Sequence, residues 1–297
     1  MNNKLKLAAA VLMLSVTACD NKKTVVEETT PPAPVVLADN HPLLLGNPTD
    51  ARRSAEFSEN YLMEEPTYAI AYSAARGIPV WAAWHLSSEE QGNADRLDDF
   101  RENPNLPASW YDVRNSDYGS ASFDRGHNVP SEDRTASPAA NSSTFLMTNI
   151  IPQAPLFNQG PWANMETYIR SQIGTTTEAY IYMGNYGIGG VGTNGVVSNS
   201  ISSGNVTVPK SVYKIVVFFP KGGDDLNRID TSARVLAVDM PNDNRLYPAG
   251  ASGSAWQNYK VPIDSIEARL ARAGRPHHFL GAVRAEVRDY LKAKASR

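Results

Sequence analysis

Four side chains within residues 123–170 have types and spacing that could do chemistry together: His127, Asn158, Glu166 and Arg170. The stretch reads FDRGHNVPSEDRTASPAANSSTFLMTNIIPQAPLFNQGPWANMETYIR. A histidine with an ordinary pKa of about 6.5 can take a proton from water at neutral pH. Arg125 precedes His127 by two residues, Gly126 permits an unusual turn, and Asp124 can hold an arginine in place. A nearby cation would keep the imidazole unprotonated, as a general base requires. Further on, Pro161 suits a first helical turn. If the helix reaches back to Asn158, then Asn158, Trp162, Glu166 and Arg170 share one face at i, i+4 spacing. One amide oxygen is suited to be the sole protein ligand of Mg²⁺, which keeps several waters. Glu166 could then hold one of those waters, and Arg170 could reach a phosphate bidentately. Without the histidine motif, the better reading is a bland one, a helix start with an exposed Glu–Arg pair.

Other candidates are weaker. Arg96, in GNADRLDDF (residues 92–100), taken by itself is a surface ion pair in an acidic neighbourhood. His277 and His278 are adjacent and point apart, which suits local packing or surface more than a shared metal. His41 and His85 have no partner motif.

The elements that must position these groups follow from apolar patterning. Residues 68–72 (YAIAY) and 79–85 (PVWAAWH) read as a strand pair joined by a turn. Further strands are expected over 178–184, 206–208, 211–219 and 233–240, the last two segments being rich in β-branched residues. Helical patterns cover 162–173, 264–273 and 276–295. The sum is an α+β domain around a largely antiparallel sheet, with helices late in the chain. Residues 187–192 (GIGGVG) match a dinucleotide fingerprint, but a turn-rich segment follows where a helix is required, so this is a loop. Signatures of phosphate-binding loops, zinc proteases and serine hydrolases are missing from the sequence.

Composition limits the partners. The 297 residues carry a formal charge of −3. Residues 1–40 hold four lysines and four acidic residues, so the remainder is also at −3. No global basic field advertises a polyanion, and attraction to one must be local. At the N-terminus a short positive region precedes an apolar run from Leu7 to Val16, too short for a mature membrane span. It ends in Val16-Thr17-Ala18-Cys19, with the only cysteine of the chain. That pattern resembles a bacterial lipoprotein signal. We therefore expect a signal peptide over 1–18 and a Pro/Thr-rich tether over 19–40 that begins at a lipidated Cys19. A single folded domain over 41–297 would follow, held at the cell envelope in the periplasm or at the cell surface.

Taken together, the motifs have a specific likeness. Asp124-Arg125-Gly126-His127, Thr148-Asn149-Ile150-Ile151-Pro152-Gln153, and Asn158 with Glu166 and Arg170 occur in order. They resemble the DNA/RNA non-specific endonuclease family, the ββα-metal (His–Me finger) nucleases of the Serratia and cyanobacterial sugar-non-specific types. The likeness covers most of 41–265; the segment beyond Ser265 has no counterpart we can match. The resemblance implies that His127 activates water, oriented by a backbone carbonyl. Asn158 would bind Mg²⁺ or Mn²⁺ directly and Glu166 through water. Arg96 would stabilise the pentacovalent phosphate and Arg170 would act near the leaving side. Asn149 and Gln153 would brace the site, with Arg125 and Asp124 in support. DNA and RNA would both be cut to 5′-phosphate products, and an inhibitor protein would be a possible partner. Asn128-Val129, after the histidine, depart from the usual pair in a way expected to touch substrate contacts and not chemistry. The rival from another class is a catalytically inactive nucleic-acid-binding or surface lipoprotein on the same fold.

Overall fold

In the computed structural model, residues 37–119, 122–250 and 253–294 are described. The expected signal peptide, Cys19 and most of the tether lie outside the described residues. Leu37–Arg297 is one unit. In chain order its main elements are β1 (Tyr61–Glu65), β2 (Tyr68–Ser73), β3 (Ile78–Leu86), β4 (Asp124–His127), β5 (Ile150–Gln153), α1 (Ala163–Ser171), β6 (Thr177–Tyr186), β7 (Ser211–Pro220), β8 (Arg234–Pro241), α2 (Ile263–Arg272) and α3 (Ala285–Ala293). Among these helices, none is long and apolar enough to cross a membrane.

Six strands form one antiparallel sheet in the order β1-β2-β3-β6-β7-β8. Its central strands are buried on both faces, so β2, β3 and β7 read as near-continuous apolar runs. Alternation still sorts the side chains. From β7, Val212, Val216 and Phe218 enter one core with Trp84, Trp162, Met165 and Ile169. Tyr213, Ile215, Val217 and Phe219 enter the other, with Trp81, Ile266, Leu270 and Leu291. The first core carries β4, β5 and α1. The second is closed by α2 and α3, which accounts for the segment beyond Ser265 that sequence motifs leave unmatched.

Two expectations need correction. The helix expected over 276–295 is helical only over Ala285–Ala293. Its first half is held as a non-helical strap: the His278 N–H donates to the Pro48 carbonyl (2.8 Å), the Ala282 N–H to Leu45 (3.1 Å), and Leu280 takes a left-handed φ of 59°. The 206–208 strand shrinks to Val206–Thr207, paired with Ser200–Ile201. The GIGGVG segment contains the start of a two-residue ladder (Gly190–Val191 with Val197–Ser198), and no helix follows it.

Candidate active site

Strand β4 ends on His127 and pairs with β5, Asp124 facing Gln153 and His127 facing Ile150. Gly126 is not left-handed here. It is required because the buried Gln153 side chain lies across it, and a Cβ would stand 1.9 Å from Gln153 Oε1. The expected turn role of Gly126 is thus replaced by close approach. The loop after His127 is fixed by Asn149, whose Nδ2 donates to the carbonyls of Val129 (3.0 Å) and Thr144 (2.9 Å) and whose Oδ1 accepts from the Val129 N–H (3.0 Å). Asn128 and Val129 are both fully buried, Asn128 donating to the Asn149 carbonyl. Neither residue lines the pocket.

The His127 ring packs edge-on to Phe145 (centroids 4.9 Å apart) and tilted to Phe100 (5.5 Å). Nε2 is enclosed and has no hydrogen-bond partner among the described residues, so no backbone carbonyl there orients the ring as the resemblance implied. The aromatic pair does that instead, and Nδ1 is left as the nitrogen able to meet water in the pocket. Burial, with help from Arg96 and Arg125, pushes the imidazole down to about 3, so it is neutral at physiological pH.

Between β5 and α1 the chain makes one wide helical turn, Asn158–Trp162, broken at Gly160 (φ −102°, ψ −110°). The uninterrupted helix expected back to Asn158 is therefore absent, and α1 begins at Ala163. The i, i+4 side chains nevertheless converge. One pocket is lined by Arg96, Arg125, His127, Asn158, Glu166 and Arg170. A second pocket adjoins it through Arg96, Arg125 and Asn158, and Asp124 lines it. Asp124 does not hold an arginine: its Oδ2 accepts from Asn158 Nδ2 (2.9 Å) and Gln159 Nε2 (2.8 Å). This fixes the Asn158 amide with its nitrogen committed and its Oδ1 without a partner among the described residues, at the pocket, the donor atom a hard divalent cation prefers.

Of the two bland ion-pair readings, the Glu166–Arg170 pair changes, whereas Arg96 does form a surface ion pair, with Asp98. Glu166 pairs not with Arg170 but with Lys214 Nζ on β7 at 2.6 Å, and burial raises its pKa against that opposing charge. Arg170 pairs with Glu132 and with Asp133 (3.2 Å), whose other oxygen accepts from Trp84 Nε1 (3.0 Å). Arg96 donates to Asp98 Oδ1 and to Ser131 Oγ, both at 2.8 Å, with its guanidinium 4.9 Å from the Phe145 ring centre. It is brought there because residues 92–97 are tied to the far side of the finger: the Gly92 N–H donates to Thr135 Oγ1 (2.8 Å) and the Leu97 N–H to Asn141 Oδ1 (3.1 Å). Arg125 lies over the Phe100 ring at 4.1 Å and donates to Asn115. Lys214, Asp133 and Ser131 were invisible to motif reasoning. The one signal available was a lysine inside the apolar run SVYKIVVFF.

Asn149 and Gln153 do not line the pocket, and Gln153, unlike Asn149, has no side-chain hydrogen-bond partner among the described residues. Of the other histidines, His277 is buried and His278 exposed. His85 lies in the one His/acid cluster among the described residues that could hold a metal ion, with Glu178 and Asp225, their ligand atoms within 4.8 Å of one another. Arg228 already bridges both of its carboxylates, so a cationic group is in place there.

A six-stranded antiparallel sheet carrying a β4–β5 pair, a kinked helix start and a histidine and an asparagine lining one pocket defines the class: a ββα-metal nuclease. The DNA/RNA non-specific endonuclease family model matches residues 46–285. A nuclease of Nostoc sp. is 36% identical over 97% of both chains. Nuclease C1 of Cunninghamella echinulata is 30% identical over 69% of this chain and 79% of that one. The fold is similar to that in the crystal structure of an EndoG/EndoGI complex, with a TM-score of 0.63, 20% identity, and 83% and 92% of the two chains covered. This chain belongs to the DNA/RNA non-specific endonuclease family. That family is metal-dependent, and a non-enzymatic lipoprotein is not the favoured reading.

Proposed function

We propose that this protein is a Mg²⁺- or Mn²⁺-dependent endonuclease that hydrolyses DNA and RNA without regard to the sugar, leaving 5′-phosphates. The observation that carries this reading is the convergence of a neutral His127, the free Oδ1 of Asn158 and the Glu166 carboxylate on one pocket bordered by Arg96, Arg125 and Arg170. His127 Nδ1 takes the proton of the attacking water as its oxygen closes on phosphorus, while the P–O3′ bond breaks in line and the departing 3′ oxygen takes up a proton from water. Asn158 would hold the cation directly and Glu166 through a water, with Asp124 fixing the Asn158 amide. When bound, the cation supplies charge stabilisation at the phosphoryl oxygens. Arg96 and Arg170 bring guanidinium donors to the developing phosphorane charge. The residues that line the pocket recognise backbone and not base edges, which fits indifference to sequence.

Purified full-length protein incubated with circular single-stranded DNA, duplex DNA and RNA is expected to cut all three with Mg²⁺ and none with EDTA. His127→Ala should abolish cleavage of each while leaving the circular dichroism spectrum intact. Full activity after either treatment contradicts the assignment. The domain organisation and address are part of the proposal: signal peptide 1–18, lipid on Cys19, tether to residue 40, and the nuclease domain 41–297 at the cell envelope. Sequence pattern alone supports these. Cys19→Ser should move the protein from the membrane fraction to the soluble one, and an unchanged distribution would refute the anchor. An inhibitor protein as partner is suggested by the related EndoG fold, which was solved with EndoGI.

A further inference from the structure

Lys214 interrupts the apolar alternation of β7. On the same face of the strand, Val212 and Val216 are fully buried core residues, and Lys214 stands between them with 2% of its surface exposed. A lysine in that place costs desolvation unless its ammonium is met by an opposite charge. Its Nζ makes one hydrogen bond, to Glu166 Oε1 at 2.6 Å. The remaining faces of the ammonium meet aromatic rings: Trp84 at 5.3 Å and Trp162 at 4.9 Å from the ring centres, within cation–π range. The head is thus held from three directions, by one carboxylate and two indoles on different elements. Trp84 belongs to β3 and is itself fixed through Nε1 to Asp133, the residue that also pairs with Arg170. Trp162 closes the kinked turn that begins at Asn158. Lys214 therefore sits where the sheet touches both the turn bearing Asn158 and the helix bearing Glu166.

The consequence lies at Glu166. One oxygen is committed to Lys214; the other has no hydrogen-bond partner among the described residues, and Glu166 lines the pocket with His127 and Asn158. Resting on the nuclease reading above, we propose that Lys214 is a positioning residue of the reaction, clamping Glu166 by one oxygen so that the other is presented as a fixed anionic acceptor toward the cation site at Asn158. Lys214 does not touch substrate and acts only through Glu166. A flexible carboxylate on the same helix would have to be ordered each time a hydrated cation binds. The clamp makes that ordering part of folding.

The test is a double-mutant cycle on the full-length protein with Lys214→Met, Glu166→Gln and the pair, measuring Mn²⁺ affinity by titration calorimetry without substrate and steady-state cleavage of duplex DNA with Mg²⁺. Lys214→Met is expected to weaken Mn²⁺ binding about 10- to 100-fold and to lower kcat by a similar factor, with KM for DNA little changed. In the Glu166→Gln background the same change should add less than about threefold. Lys214→Arg keeps a cation between the indoles and should recover most of the Mn²⁺ affinity; it also carries the test if the methionine variant does not fold. A folded Lys214→Met that binds Mn²⁺ as tightly as wild type overturns the inference, as does full additivity with Glu166→Gln or a folded arginine variant with no recovery. A purely structural ion pair would lower Tm and leave Mn²⁺ affinity alone. An inactive wild type would overturn the nuclease reading and this inference with it, whereas an active wild type beside an unaffected Lys214→Met overturns this inference alone.

Discussion

His127 is held by rings rather than by hydrogen bonds, and this has a measurable effect on stability. Its ordinary pKa of about 6.5 is pushed down to about 3 in the fold by burial and by Arg96 and Arg125. As pH falls below about 6.5, the unfolded chain takes up a proton at this position that the folded chain refuses. The unfolded state then binds more protons, so stability drops with falling pH until the folded pKa is reached. We expect the Tm of wild type to fall more steeply between pH 7 and pH 4 than that of His127→Gln, which has no proton to bind. Parallel curves for the two proteins would show that the imidazole is not kept neutral by its surroundings. The same depression keeps the imidazole unprotonated at neutral pH, as the proposed role of His127 as general base requires.

At the scale of elements, the finger depends on how closely β4 and β5 approach. Gly126→Ala would place a methyl group 1.9 Å from Gln153 Oε1, inside the buried face of the pair. Relief requires the glutamine or the strand to shift, a form of overpacking that costs roughly 1–3 kcal/mol. Differential scanning calorimetry should show a Tm loss of several degrees, at about 2–4 °C per kcal/mol for a domain of this size. His127 is the next residue along β4, so kcat should fall with it. A Tm within a degree of wild type would mean the glutamine moves freely. The apolar run of β6 and the β-branched runs of β7 and β8 were legible in the sequence because a sheet buried on both faces demands them. The motif residues that line the pocket were legible through family likeness. The β4–β5 pair was not, since four-residue strands containing glycine or proline carry almost no periodicity. Nor was the 277–284 strap, whose shape is set by hydrogen bonds to Leu45 and Pro48 more than two hundred residues earlier. Lys214 was hidden for the same reason, its partner lying 48 residues away.

At the scale of the whole molecule, an acidic protein must bind a polyanion. The net charge is −3, and the cations at the pocket are Arg96, Arg125 and Arg170. Two of these are already engaged by carboxylates, Arg96 by Asp98 and Arg170 by Glu132 and Asp133. Each phosphate neutralised on duplex DNA contributes about −0.9 to the slope of log K against log salt. Three free arginines would give a slope of roughly −3, and arginines that remain tied to their own carboxylates would give less. Anisotropy titrations of duplex DNA with the His127→Ala protein in EDTA, across a range of KCl concentrations, should therefore return a slope no steeper than about −3. Arg125→Ala should flatten it by about one unit, because Arg125 alone of the three has no carboxylate partner among the described residues. A slope of −6 or steeper would reveal a basic surface away from the pocket and would remove the reason for assigning recognition to these three side chains. With a shallow slope, affinity for the polyanion would have to come chiefly from the divalent cation, and adding Mn²⁺ to the same titration should then tighten binding more than any single arginine loosens it.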